Sequence, residues 1–249
     1  MIRKKSVFGD LAKNYKDTRP GYPTAVIKEI YVQLKKPKPR ILDLGCGTGI
    51  STRQLAQGNG MIIGCDIDAK MLVHASTDGY KNISYVRAGA EKLPFENKSF
   101  DAVAMFTSFH WFANKKALEE IRRVLKPNGV LCIIQPSYKK PHNRELREII
   151  NQTLNLNIQR AYGLINFEEF LVKNKFRIIR KKIYKTTQKY TLSKFIKLLQ
   201  SYSTWSYVPV SKRPQILKLL KSHYRQYLRS GFIYDKIDVR LICARMKKS

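Results

Sequence analysis

Along the first 135 residues, short apolar runs of β type alternate with stretches of helical period. The runs from Arg40 (RILDLG) and Met61 (MIIGCD) flank a helical stretch from Ile50 to Gln57, which predicts a strand–helix–strand unit. Beyond it the spacing predicts a helix from Asp68, as N-cap, to about Thr77, then strands at Ile83–Arg87 and Phe100–Phe106. A helix from Lys115 to Leu125, closed by Lys126-Pro-Asn-Gly, and a strand from Val130 to Gln135 complete the series. Five strands alternating with helices predict a parallel, doubly wound α/β sheet.

After Pro136 the rhythm changes. Helices are expected at about 143–160, 167–173, 192–202 and 212–229, with a basic β run over 176–191 and a last strand at 239–246. The two late strands are expected to pair antiparallel at one sheet edge, with the helices as an inserted cap. One domain follows: a lid and first helix over 1–36, a core over 37–135, a helical cap with one edge strand over 136–235, and a last strand over 236–249.

Length and composition narrow this picture. The chain has 249 residues, 43% of them apolar, enough for one α/β core but short for two catalytic domains. Neither a signal peptide nor an apolar run of the roughly 20 residues needed to span a membrane is present, so a soluble, cytoplasmic protein is expected. The four cysteines, Cys46, Cys65, Cys132 and Cys243, lack paired metal or redox spacing, and no metal is expected.

Charge adds a second feature. The formal net charge is +30, with 22 Lys and Arg against 12 Asp and Glu over residues 1–135 and 26 against 6 over residues 136–249. Such a field attracts nucleic acid, an acidic carrier protein, anionic lipid or a small anion. The same lysines are equally readable as solvated surface decoration.

The sharpest chemical signal is Ile41-LDLGCGTGI, a strand running into a loop with Gly45, Gly47 and Gly49 and then a helix. Glycines there permit a tight turn and let backbone approach a ligand at the carboxyl end of the strand. Asp66, ending the next strand 17 residues past Gly49, stands where such folds place an acid for ribose hydroxyls. A glycine loop alone also fits a dinucleotide, but Asp43 precedes the first glycine by two residues and the third glycine differs from dinucleotide spacing.

The motif D-L-G-C-G-T-G resembles the first motif of class I S-adenosylmethionine-dependent methyltransferases. The resemblance continues through Gly64–Leu72 (G-x-D-x-x-x-x-M-L), Ala90–Phe95, Ser99–Asp101 and Glu120–Gly129, so it covers about residues 36–135. It implies a Rossmann-like, seven-stranded, mostly parallel sheet with an antiparallel last strand, and S-adenosylmethionine as cofactor with S-adenosylhomocysteine as product. It also implies that Asp43 and the loop of Gly45, Cys46, Gly47, Thr48 and Gly49 hold the methionine end, while Asp66 takes the ribose. Ala90 and Glu91 would edge the adenine, Ile67 and Met71 would pack on it, and Phe106 and Thr107 would pass beneath the sulfonium. Met71 and Ile67 are equally readable as ordinary core.

The segment Phe8-GDLAKNYKDTRPGYP is similar to the lead-in of the methyltransferase type 11 group related to trans-aconitate methyltransferases. That similarity makes Tyr15 and Arg19 candidate contacts to the cofactor carboxylate or an anionic substrate, since Arg offers a bidentate fork for either. After the fourth strand, His110 and Trp111 match an H-W pair of that group and are the catalytic candidates, His110 as a base or as a structural residue. Tyr202, Trp205 and Tyr207 resemble its substrate wall, and read alternatively as cap core. The expected activity is methyl transfer to a small-molecule acceptor, on an oxygen of an anionic or carboxyl-bearing metabolite. The alternative is an RNA or acidic carrier-protein acceptor, drawn by the basic surface. A cofactor-binding chain without an acceptor site is the third reading.

Overall fold

The computed structural model describes residues 11–75, 80–139, 142–159 and 165–247. Strand β1 (Arg40–Leu44) pairs in parallel with β2 (Met61–Asp66) on one side and β4 (Phe100–Phe106) on the other, and β2 pairs with β3 (Ile83–Arg87). With β5 (Leu125–Tyr138), β6 (Phe176–Tyr190) and β7 (Ile233–Met246), the sheet has seven strands in the order β3-β2-β1-β4-β5-β7-β6. The first five are parallel, and β7 runs antiparallel to both β5 and β6, as expected from the sequence.

The helices are α1 (Ala12–Thr18), α2 (Thr24–Leu34), α3 (Ile50–Ala56), α4 (Ala69–Ala75), α5 (Lys115–Val124), α6 (His142–Leu154), α7 (Phe167–Lys173), α8 (Leu192–Gln200) and α9 (Arg213–Arg225). Helix α5 shows why the sequence folds as it does. Asn114 caps it by accepting the Ala117 N–H, and Ala117, Leu118, Ile121 and Val124 are buried at helical spacing. Each such Leu, Ile or Val contributes about 1.5–3 kcal/mol.

Four boundaries differ from the sequence expectation. Helix α6 stops at Leu154 because Asn155 turns left-handed, at φ 49°, instead of continuing to residue 160. Helix α9 ends at Arg225. Strand β5 begins at Leu125, which pairs with Phe100, before Val130 pairs with Ala102; Lys126-Pro-Asn-Gly bulges out between these pairs. Strand β7 begins at Ile233, since Ile233, Asp235, Ile237 and Val239 all point inward in a strand whose alternation the charged Asp235 disguises. The last part of the helix expected to reach Thr77 lies outside the described residues.

The chain divides into two compact units. The sheet unit comprises Gly21–Pro136, Tyr162–Tyr184 and Val239–Ser249. Its core joins Leu42, Leu44, Val103, Met105, Leu131 and Ile133 of the strands to Leu118 and Ile121 of α5. The helical unit comprises Met1–Pro20, Ser137–Ala161 and Lys185–Asp238. Its core is more aromatic: Phe195, Tyr202, Trp205 and Tyr224 pack with Leu146, Ile216 and Leu220. Buried His142 stacks edgewise on Phe195 at 4.8 Å and lies 3.2 Å from Asp235 Oδ1. No helix among the described residues is long and apolar enough to cross a membrane.

Candidate active site

Strand β1 delivers Asp43 and Leu44 into a loop whose glycines 45, 47 and 49 have φ of 75°, 56° and 75°. A Cβ on Gly45 would lie 2.5 Å from that of Ser108, and one on Gly49 would overlap the Tyr85 hydroxyl. Glycine alone meets both the left-handed backbone and the close approach. The loop is then tied down: Gly45 N–H and Cys46 N–H donate to the Cys65 carbonyl at 2.7 and 3.1 Å, and Gly47 N–H donates to Asp66 Oδ2 at 2.8 Å.

Asp66 Oδ1 also accepts the Asp68 N–H at 2.9 Å. The carboxylate expected to receive ribose hydroxyls therefore first staples the loop to the end of β2. Each oxygen keeps a second acceptor position for a ligand donor. Burial holds the Asp66 pKa above the ordinary carboxylate value, opposed by these backbone donors.

Asp43 is fully buried. Its Oδ2 accepts the Ser51 and Thr52 hydroxyls at 2.7 and 2.6 Å, and its Oδ1 has no hydrogen-bond partner. Burial pushes the Asp43 carboxyl up to about 6, against those two hydroxyl donors. The buried Thr48 hydroxyl in the loop likewise lacks a partner. Unsatisfied acceptors at this depth are costly, and a ligand bringing an ammonium or hydroxyl would relieve them.

The carboxyl end of β4 is the third wall. Thr107, a β-branched residue, is held left-handed at φ 55°, with its N–H on the Ile134 carbonyl at 2.8 Å and its hydroxyl 2.7 Å from the Tyr22 hydroxyl. Such strain clusters at functional sites and costs about 1–3 kcal/mol. The Tyr22 ring packs on Phe106 at 4.7 Å, and Ser108 Oγ donates to the Leu44 carbonyl at 2.7 Å, clamping β4 to the glycine loop. A 3₁₀ turn, Phe109–Trp111, buries Phe109 and leaves His110 and Trp111 half-buried, ring centroids 5.3 Å apart.

The structure thus ties Asp66 to the Gly45–Gly49 loop, Asp43 to the hydroxyls at the start of α3, and Thr107 and Phe106 to Tyr22. Met71 and Ala90 are buried nearby in sequence terms, whereas Ile67 is 59% exposed and Glu91 accepts a hydrogen bond from Asn114 at 2.6 Å. Cys46 is buried, and that burial raises its thiol pKa well above the usual value, so it packs rather than reacts. In the helical unit, the Arg19 guanidinium lies 4.9 Å from the Tyr15 ring and 4.3 Å from the Tyr202 ring, and donates to Ser201 Oγ at 2.9 Å. Tyr202 and Trp205 are buried there and Tyr207 is exposed. Sequence reasoning passed over Tyr22, Ser51, Thr52 and Ser108; only Tyr22 carried a signal, as the tyrosine of Arg19-Pro-Gly-Tyr-Pro.

The residues fit S-adenosylmethionine: an unpartnered buried carboxylate oxygen on Asp43 suits its ammonium, and Asp66 retains acceptors for a diol. Comparison with known proteins agrees. Residues 42–133 match the family model described as a methyltransferase domain. An uncharacterized methyltransferase of Schizosaccharomyces pombe is 28% identical over 82% of this chain and 81% of its own length. A ubiquinone/menaquinone biosynthesis C-methyltransferase of Wigglesworthia glossinidia brevipalpis is 36% identical over 48% of this chain, which spans about half (51%) of that relative. Among solved structures, one provisionally assigned as a type II methyltransferase from Anaeromyxobacter dehalogenans superposes with TM-score 0.66 at 18% identity, covering 92% of this chain and 97% of the other. Phospholethanolamine N-methyltransferase 2 of Haemonchus contortus, solved with S-adenosylhomocysteine, gives 0.58 at 18% identity, covering 100% of this chain and 61% of that one.

Proposed function

We propose that this chain is a class I S-adenosylmethionine-dependent methyltransferase whose acceptor is a small molecule, methylated on an oxygen of an anionic or carboxyl-bearing metabolite. The cofactor, when bound, supplies a methyl carbon made electrophilic by its sulfonium. The protein's share is therefore alignment and exclusion of water, and orientation alone is worth about 7–11 kcal/mol.

In this reading Asp43 and the Gly45–Gly49 loop hold the methionine end, and Asp66 holds the ribose. Ala90, Glu91, Ile67 and Met71 border the adenine. Phe106 and Thr107 form the floor, Thr107 fixed by Tyr22. His110 accepts a proton when the acceptor is a hydroxyl; a carboxylate acceptor needs only placement by His110 and Trp111. Within the helical unit Tyr202, Trp205 and Tyr207 are the candidates for acceptor contacts, Tyr202 and Trp205 as buried rigid rings and Tyr207 exposed.

The observation that supports an anionic acceptor is Arg19, whose guanidinium is laid over two tyrosine rings and oriented by Ser201. A stacked, pre-oriented Arg is suited to a carboxylate. The test is an acceptor screen with mono-, di- and tricarboxylates, reading S-adenosylhomocysteine release, repeated with Arg19→Met. Turnover of carboxylates with KM raised at least about tenfold in the variant and unchanged S-adenosylhomocysteine affinity supports the reading. Loss of that affinity instead assigns Arg19 to the cofactor carboxylate, and silence across all carboxylates rejects the acceptor class.

A macromolecular acceptor, RNA or an acidic carrier protein, is the second reading, favoured by the 22 Lys and Arg against 6 Asp and Glu of the helical unit. It requires activity that falls steeply with salt.

A further inference from the structure

Residues 170–234 contain sixteen Lys and Arg and no Asp or Glu. In the helical unit α9 sorts part of this charge onto one face. Ile216, Leu220 and Tyr224 are buried, while Lys218, Lys221 and Arg225 form an exposed row at helical spacing, with Lys212 exposed before the helix and Arg229 after it. None of these five side chains has an ion-pair partner among the described residues.

Neighbouring like charges destabilise a helix, and cations at its N-terminus oppose the helix dipole. Helix α9 carries both defects: Lys212 and Arg213 stand at its start, with no acidic residue in the first turn. Elsewhere three helical cations are paired on their own helix, Lys115 with Glu119, Arg144 with Glu148 and Lys173 with Glu169, whereas α8, like α9, carries lysines (Lys194 and Lys197) and no acid. Helices α5, α6 and α7 therefore carry anions beside their cations, and α9 carries none.

Two aliphatic side chains indicate what meets the row. Val210, 73% exposed, stands two residues before Lys212, and Leu219, 41% exposed, lies beside Lys218. The phosphates of a nucleic acid would meet the cations and leave these aliphatics to its bases. A bilayer surface offers anionic headgroups to the cations and an acyl boundary to the aliphatics, the pairing used by interfacial helices. We propose that the α9 face of the helical unit, Lys212, Lys218, Lys221 and Arg225 with Val210 and Leu219, docks this protein on an anionic lipid surface.

The experiment is co-sedimentation of the full chain with phosphatidylcholine vesicles, with and without phosphatidylserine. Wild-type protein should pellet only with the anionic vesicles, and binding should fall several-fold as salt is raised. The triple variant Lys218→Glu, Lys221→Glu, Arg225→Glu should lose at least about tenfold in affinity, and Val210→Ser with Leu219→Ser about threefold. S-adenosylhomocysteine titration checks that both variants are folded. Should the charge variant misfold, the serine variant and the wild-type salt titration decide the matter. Wild-type protein left in the supernatant with both vesicles overturns the proposal, as does binding that neither salt nor the serine pair alters. Capture of a single-stranded RNA but not of vesicles, lost in the charge variant, reassigns the face to nucleic acid and also overturns it.

Discussion

In the sheet unit carboxylates are bound to named partners: Asp101 accepts from Lys36, Lys126 and the Arg40 N–H, Glu120 accepts from Arg123 and the Leu93 N–H, and Asp66 accepts two backbone N–H groups. In the helical unit the cations of α9 stand without such partners, and among the described residues its buried ionisable side chains include the His142–Asp235 pair beside an aromatic core. The difference teaches that charge does two jobs in one chain. Paired carboxylates fix atoms where a cofactor must be aligned, whereas unpaired surface cations create a field that requires no fixed atoms.

The widest test of that contrast is Gly45→Val. It forces a branched side chain into a left-handed residue against Ser108, and should cost about 4 kcal/mol and abolish S-adenosylhomocysteine binding, read by thermal melting and titration. Next, His142→Ala strands the buried Asp235 carboxylate and opens a gap beside Phe195. A loss of about 3 kcal/mol is expected; a loss below about 0.5 kcal/mol would show that the pair is incidental to the helical unit.

Asp43→Asn separates the cost of a charge from its use. The folded carboxyl titrates at about 6 against an ordinary value of 3.8. Below 3.8 the group is protonated in both states; as pH rises toward 6 the unfolded chain ionises first, so stability is lost across that window. The Asn variant of the ligand-free protein should therefore be more stable than wild type at pH 8, by up to about 3 kcal/mol, with the gain vanishing near pH 4. Its S-adenosylhomocysteine affinity should nevertheless collapse, and wild-type affinity should weaken below pH 6. The smallest effect is expected from Tyr22→Phe, which removes the bond to Thr107: about 1 kcal/mol in stability, with kcat reduced more than cofactor affinity.

Much of the sheet unit was legible because its code is local. Period-two apolar runs and glycines in Ile41-LDLGCGTGI announce β1, the loop and α3 within a few residues, and the structure places them there. The Thr107 clamp was not legible, since its strain depends on Tyr22, 85 residues away. The N-terminal end of β7 was hidden by an inward-facing Asp235, a charge tolerated only because His142 waits across 93 residues of chain. Likewise, Ser51 and Thr52 read as ordinary helix residues until Asp43 is seen to need their hydroxyls.

Strand β7 lies between β5 and β6 although it follows both in the chain. During translation, β6 leaves the ribosome with no strand to pair with, and the open side of β5 stays unsealed, until some forty residues later β7 arrives to fill the gap. For that interval two template edges are exposed together, the situation in which nascent chains of a polysome join one another. Lys181, Lys182, Lys185 and Lys189 along β6 are then gatekeepers, keeping a half-made sheet from recruiting its neighbour's strand.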